Sequence, residues 1–249
     1  VTIQNLVLSI FPGIDILGRA FEEEGYCVVR GPDRLWGGDI RNFHPPAGVF
    51  EGIIGGPPCQ EFTILRKMNH DKPGKWGNLI PEFERVVRES QPEWFVMENV
   101  KTAPLPEVEG YQVDPTILNN RWLGGRQHRV HRFSFGTRNG LKLSYDIALF
   151  ESQEWAPRVM ASGVVKDFRH FKGNKNMHLH GFRSNKNLRT CLTLQGLPED
   201  FLDDAPFTVE GKFGVIGNAV AYPMAQALAR AVKKATRGNK VVRCCRRLK

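Results

Sequence analysis

The sequence predicts an α/β fold with a mostly parallel sheet. A strand, a helix and a second strand follow one another within 30 residues near the start of the chain, and further on an amphipathic helix again feeds an apolar strand. The first strand is Asn5-Leu6-Val7-Leu8-Ser9-Ile10, and Phe11-Pro12-Gly13 forms the turn after it. Ile16, Leu17, Ala20, Phe21 and Glu24 then fall at helical spacing, with Gly25 as terminator. Cys27-Val28-Val29 is a second strand. Phe50 to Ile54 is a third, interrupted by Gly52 and closed by Gly55-Gly56-Pro57-Pro58. Asn78 is placed to cap the next helix, in which Pro81 suits the first turn and Leu79, Phe83, Val86 and Val87 share a face. Glu84 and Arg88 are spaced to pair on its outside. Trp94-Phe95-Val96-Met97 is the next strand, ending on Glu98-Asn99, and His131 to Phe135 is another. Pro223 opens a last helix with Met224, Ala227, Leu228 and Ala231 on one face.

At 249 residues the chain has room for one such domain and a smaller unit. From about residue 139 the periodicity weakens, and residues 166–187 are basic and rich in Asn, Gly and His. We therefore expect a first block at 1–138, a small recognition region and hinge at 139–198, a return to the first block at 199–237, and a basic tail at 238–249. No apolar run nears the roughly 20 residues needed to cross a bilayer. The opening Val-Thr-Ile-Gln-Asn has no secretion-signal pattern, so the expected location is cytoplasmic. Five cysteines without repeated spacing describe neither a disulfide framework nor a zinc site, and no metal is expected.

Charge is distributed in blocks. Residues 1–120 carry 11 basic and 17 acidic side chains, residues 121–189 carry 14 and 4, residues 190–229 carry 1 and 5, and the last 20 carry 9 and none. A basic block of this density is suited to a polyanion. The Gly55-Gly56-Pro57-Pro58-Cys59 turn has a different character. Its glycines allow a crowded backbone and its prolines stiffen it, so that Cys59 is presented from a rigid support as a nucleophile would be.

Taken together, Gly55-Gly56-Pro57-Pro58-Cys59-Gln60, Glu98-Asn99-Val100, Gln127-His128-Arg129, Leu194-Gln195-Gly196-Leu197-Pro198 and Gly217-Asn218-Ala219-Val220 resemble, in order, the motifs of the DNA cytosine-5 methyltransferases of compact phage or restriction–modification type. The resemblance implies a Rossmann-like methyltransferase fold with a small target-recognition region. It also implies methyl transfer from S-adenosyl-L-methionine to carbon 5 of a flipped cytosine in double-stranded DNA. In that chemistry Cys59 adds to carbon 6 and Glu98 donates a proton to ring nitrogen 3, while Arg129 helps hold the base. His131 stands at the position of the usual second arginine and is followed by Arg132, so that either Arg132, through a small backbone shift, or His131 takes over its work. Strand alternation would put Arg129 and His131 on one face and Arg132 on the other.

For the cofactor, the resemblance points to Phe11, Gly13, Pro57, Asn218, Ala219 and Val220. It adds Asp33 for the ribose hydroxyls, Asp39 for the adenine amino group and Ile40 against the ring. Asp15 stands where the family has a second glycine. A nicotinamide site would want three glycines where this chain has Gly13, Asp15 and Gly18. The segment 61–76, with Arg66, Lys67, Lys72 and Lys75, has the position of a closing loop. Arg158, Lys166, Arg169, Lys172, Lys175, Arg183, Lys186 and Arg189 are the candidate contacts to DNA. The expected working form is a monomer, paired in function, without direct contact, with a cognate restriction endonuclease. A noncatalytic DNA-binding homologue and an enzyme acting on RNA are the alternatives.

Overall fold

In a computed structural model the described residues are 2–63, 76–148, 158–160, 165–166 and 187–238. They build a six-stranded sheet of order β2-β1-β3-β4-β6-β5. Its strands are β1 (Ile3–Ile10), β2 (Cys27–Arg30), β3 (Phe50–Gly55), β4 (Trp94–Asn99), β5 (Gln112–Asn119) and β6 (Val130–Thr137). The first four run parallel, whereas β6 is antiparallel to both β4 and β5. A separate ribbon pairs β7 (Arg158–Val159) with β8 (Val165–Lys166).

Five helices are described: α1 (Ile16–Glu23), α2 (Ile80–Ser90), α3 (Leu188–Leu194), α4 (Val209–Asn218) and α5 (Tyr222–Arg237). The alternation of side chains along the strands sorts the core into two faces. Val7, Ile54, Trp94 and Val96 pack with Phe21 of α1 and with Met224 and Leu228 of α5. Leu8, Ile53, Phe95 and Met97 pack with Phe83, Val86 and Val87 of α2. Gly52 is the β3 residue opposite Trp94, and a Cβ there would fall within the indole. The glycine inside the strand is thus the partner that the large ring requires.

Several local expectations change. Leu79 caps α2, and Asn78 supports it from one residue earlier by accepting from the Ile80 N–H at 3.0 Å. Glu84 accepts the Glu107 N–H at 2.8 Å, and on α2 Arg85 pairs with Glu82 and Glu89, at 2.8 and 2.9 Å. Strand β5 escapes the sequence reading because Pro115 sits within it. A proline is tolerated here because β5 is the sheet edge. Helix α4 escapes it because Gly211, Gly214 and Gly217 weaken its propensity. Thr208 nevertheless caps it, accepting from the Gly211 N–H at 3.1 Å.

A buried polar junction ties the late helices to the sheet. Gln127 donates to the Gln195 side chain and to the Leu194 carbonyl, both at 2.8 Å, and accepts from the Val159 N–H at 3.2 Å. Gln195 donates in turn to the Ile216 carbonyl at 2.6 Å, and its own carbonyl accepts from Tyr222 N–H at 2.8 Å. Both glutamines are fully buried, so each lost bond would leave a polar group without water. Among the described residues no helix is long and apolar enough to cross a membrane. The expected basic tail from residue 239 onward lies outside the described residues.

Candidate active site

The chain direction in the sheet turns at β1, which has β2 on one side and β3 on the other. Ligands of open α/β sheets gather beyond the carboxyl ends of the strands at such a point. Here the turns after β1 and β3 and the end of β4 surround a cavity of about 640 Å³, a size suited to a cofactor together with a base.

Cys59 lies on its wall, half-buried, where the turn after β3 passes into a short 3-10 segment. The turn is held from behind: Asn99 donates to the Pro57 carbonyl at 3.2 Å and accepts from Val100 N–H at 2.8 Å. Glu98, from the end of β4, lines the same cavity. One of its oxygens meets Nδ1 of His131, in side chains 12% and 5% exposed. A Cβ at Gly56 would sit 2.7 Å from the other oxygen, so Gly56 is small because the carboxylate occupies that space.

Arg129, just before β6, and His131 within it both face the cavity, two residues apart as in an extended chain. The Arg129 guanidinium donates to the carbonyls of Val159 (3.2 Å), Gly217 (2.9 Å) and Ala219 (2.7 Å). It thereby clamps the end of α4 and the β7 ribbon to the sheet. Arg132 points to the other face and donates to the carbonyls of Lys101 (3.3 Å) and Pro104 (2.6 Å), fixing the loop that follows Glu98-Asn99. Burial holds its guanidinium below the ordinary arginine range.

At the cofactor end Phe11, Gly13 and Asp15 all adopt positive φ, folding the turn after β1 tightly. Asp33 braces that turn by accepting the Gly13 N–H at 2.9 Å and the Leu35 N–H at 2.7 Å, and Trp36 donates its ring N–H to the Gly13 carbonyl at 2.8 Å. Asp15 is the N-cap of α1. Its carboxylate accepts from Gly18 N–H (3.0 Å) and the Ser9 hydroxyl (2.8 Å) and pairs with Arg30 at 2.8 Å. Burial, outweighing those partners, pushes its carboxyl above the ordinary range. A Cβ on Gly18 would collide with this carboxylate, which explains the glycine one turn into the helix.

Phe11, Gly13, Asp15, Asp33, Ile40, Pro57, Asn218, Ala219 and Val220 all line the cavity. Asp39 does not. Its carboxylate is turned to Arg34 at 2.6 Å and to Arg41, and the Arg41 N–H with those two guanidinium groups holds it below the usual carboxylate range. Asp39 thus braces the 34–41 segment from beside Gly38 and Ile40, which are on the cavity wall. The wall suits S-adenosylmethionine. Phe11, Ile40 and Val220 offer apolar surface for a purine. Asp33, also on the wall, uses about two of its roughly four acceptor sites on the backbone.

Among the expected DNA contacts, Arg158 and Lys166 are register partners in the β7–β8 ribbon, and Arg189 is exposed in the first turn of α3. Arg66, Lys67, Arg169, Lys172, Lys175, Arg183 and Lys186 lie outside the described residues, as does most of the 61–76 segment. The sequence reading did not assign Val159 and Met160 to the wall, nor did it see the brace made by Trp36. The signal for Trp36 was a bulky indole three residues beyond Asp33, in a segment otherwise built for turns.

The parallel sheet thus brings the cysteine turn after β3 and the carboxylate at the end of the adjacent β4 to one cavity. The family model for C-5 cytosine-specific DNA methylases matches residues 34–190, and the chain belongs to that family, in which S-adenosylmethionine dependence is a defining feature.

The type II methyltransferase M.MthTI of Methanothermobacter thermautotrophicus is 23% identical, over 93% of this chain and 98% of its own length. M.HgiDI of Herpetosiphon aurantiacus is 36% identical over 100 residues, which are 36% of this chain and 32% of that protein. The orphan methyltransferase M.SPRI of Bacillus phage SPR is 24% identical, over 83% of this chain and 52% of its own length. The chain thus spans about a third to a half of those last two relatives. Among solved structures, a mutant of Spodoptera frugiperda DNMT2 superposes with a TM-score of 0.58 at 13% identity. It covers 91% of this chain and 99% of that one, a likeness of fold.

Proposed function

We propose that this chain is a DNA (cytosine-5-)-methyltransferase that methylates carbon 5 of a flipped cytosine in double-stranded DNA. The observation that carries the reading is the opening of Cys59 and Glu98 onto one cavity from neighbouring strand ends. Carbon 5 of cytosine is a poor nucleophile while the ring is aromatic. Addition of the Cys59 thiolate to carbon 6 breaks the aromaticity and places electron density at carbon 5. Glu98 gives its proton to nitrogen 3 as that density develops. S-adenosylmethionine, when bound, supplies a sulfonium methyl. Phe11, Asp33, Ile40 and Val220 would hold it, while Arg129 keeps the Gly217–Ala219 wall in place. The carbon-5 proton then leaves to water or hydroxide and the Cys59 sulfur is expelled.

A base within a duplex cannot reach Cys59 without leaving the stack, so the reading includes base flipping. The block of 14 basic and 4 acidic side chains at residues 121–189 supports contact with phosphates, and the region 139–198 is the proposed target reader. In this reading the chain works as a cytoplasmic monomer. A cognate restriction endonuclease would read the same DNA without touching it.

The test is methyl transfer from labelled cofactor to duplex DNA and, separately, to transfer RNA, followed by base-resolution mapping. Label in duplex 5-methylcytosine is expected; label confined to RNA, or none in either polymer, would overturn the reading. Gly56→Ala provides a finer check. Its Cβ must displace the Glu98 carboxylate, so the methylation rate is expected to fall on the order of 100-fold. The thermal midpoint should move by no more than a few degrees, because the change lies at the cavity edge.

A further inference from the structure

Arg129, just before β6, and His131 and Arg132 within it have separate tasks. Arg129 is committed to the carbonyls of Val159, Gly217 and Ala219, and Arg132 to those of Lys101 and Pro104 on the other face. The β6 group that meets the Glu98 carboxylate is the imidazole of His131, through Nδ1. Cys59 and Arg129 share the cavity with this pair. Asp15, Asp33 and Arg34, also on its wall, are engaged with Arg30, with the Gly13 and Leu35 N–H groups, and with Asp39. In the sheet, β5 places the apolar Leu118 opposite His131. A guanidinium here would be a permanent cation, whereas an imidazole both carries charge and releases a proton near neutral pH.

We propose that His131 and Glu98 form one proton-sharing pair, in which His131 Nδ1 resupplies the proton that Glu98 gives to cytosine nitrogen 3. This rests on the methyl-transfer reading above. Before reaction the pair is imidazolium and carboxylate, net zero, and the Cys59 thiolate carries one negative charge. As the sulfur–carbon 6 bond forms, one proton passes from the pair to nitrogen 3. The sulfur becomes neutral and the pair, now imidazole and carboxylate, holds the negative charge. After methylation the nitrogen 3 proton returns to the pair. The carbon-5 proton leaves to water or hydroxide, its electron pair closes the carbon 5–carbon 6 double bond, and the sulfur leaves as thiolate. His131 is thus a positioning and proton-supplying residue acting through Glu98.

Two readouts test this. The first uses the free protein without DNA or cofactor and follows the His131 imidazole by nitrogen-15 NMR across pH. Glu98→Gln is expected to move the midpoint of the ring's titration at least one unit lower, because the carboxylate no longer favours the imidazolium. The second is the pH profile of single-turnover methylation, whose upper limb falls as the pair loses its proton. His131→Asn keeps an N–H donor near the position of Nδ1 but cannot titrate. It is expected to lower the rate at neutral pH on the order of 100-fold and to shift the upper limb at least one unit down, with cofactor affinity unchanged. His131→Arg, with a fixed cation, should show the same displaced limb and serves if the Asn variant fails to fold. A purely structural His131 would leave the limb in place. An imidazole midpoint indifferent to Glu98→Gln, or a wild-type limb in the His131 variants, overturns the proposal. If the wild-type protein methylates nothing, the methyl-transfer reading fails while the NMR readout still decides whether the pair exists.

Discussion

Cys59→Ala is expected to give a folded protein that binds cofactor normally and transfers no measurable methyl group, a loss on the order of 10⁴-fold or more. The size of the effect follows from the bond that is lost. Without sulfur at carbon 6 the cytosine ring stays aromatic, and no other described side chain on the cavity wall offers a thiolate. The fold should tolerate the change. The turn is held by Asn99 on the Pro57 carbonyl and by the Phe62 N–H on the Cys59 carbonyl at 2.9 Å, both of which survive truncation of the side chain. Single-turnover product formation and calorimetric cofactor binding separate the two effects. Wild-type turnover by the variant would remove Cys59 from the chemistry.

Glu98→Gln is the second large effect. Glutamine fills the same space between Gly56 and His131 and can still donate a hydrogen bond, but it has no proton to transfer. The expected result is a fall in kcat of roughly 10²- to 10⁴-fold with KM for DNA little changed, because the lost interaction belongs to the transition state. A rise in KM at unchanged kcat would instead make Glu98 a binding group only.

How much of this was legible in the sequence depended on whether the determining interaction was local. Strands β1 to β4 and helices α1, α2 and α5 could be read because each buries a face whose period is visible within ten residues, as with Trp94-Phe95-Val96-Met97. Strand β5 could not be read. Its right to contain Pro115 depends on lying at the sheet edge, which only the strand order reveals. Helix α4 could not be read either, since three glycines hide a helix that is held by its Thr208 cap and by Gln195 on the Ile216 carbonyl.

In the candidate site, the arrival of Cys59 and Glu98 at one cavity was foreseeable from strand ends, that of Arg129 from the family resemblance, and that of His131 from its alternation with Arg129. Partnership was not foreseeable in the same way. Asp39 turns outward to Arg34 and Arg41, and Arg129 serves three carbonyls up to 90 residues away in sequence; neither follows from spacing. The Gln127–Gln195 junction joins two motifs that the sequence presents 68 residues apart, and only the fold shows that they are one structure.

The most direct measurement uses duplex DNA carrying 5-fluorocytosine at the mapped target, incubated with protein and methyl donor. Fluorine cannot leave carbon 5 as a proton does, so the wild-type protein should accumulate as a covalent protein–DNA species joined at Cys59, absent from Cys59→Ala. Confirmed binding of both DNA and donor with no sulfur-linked species would contradict the account.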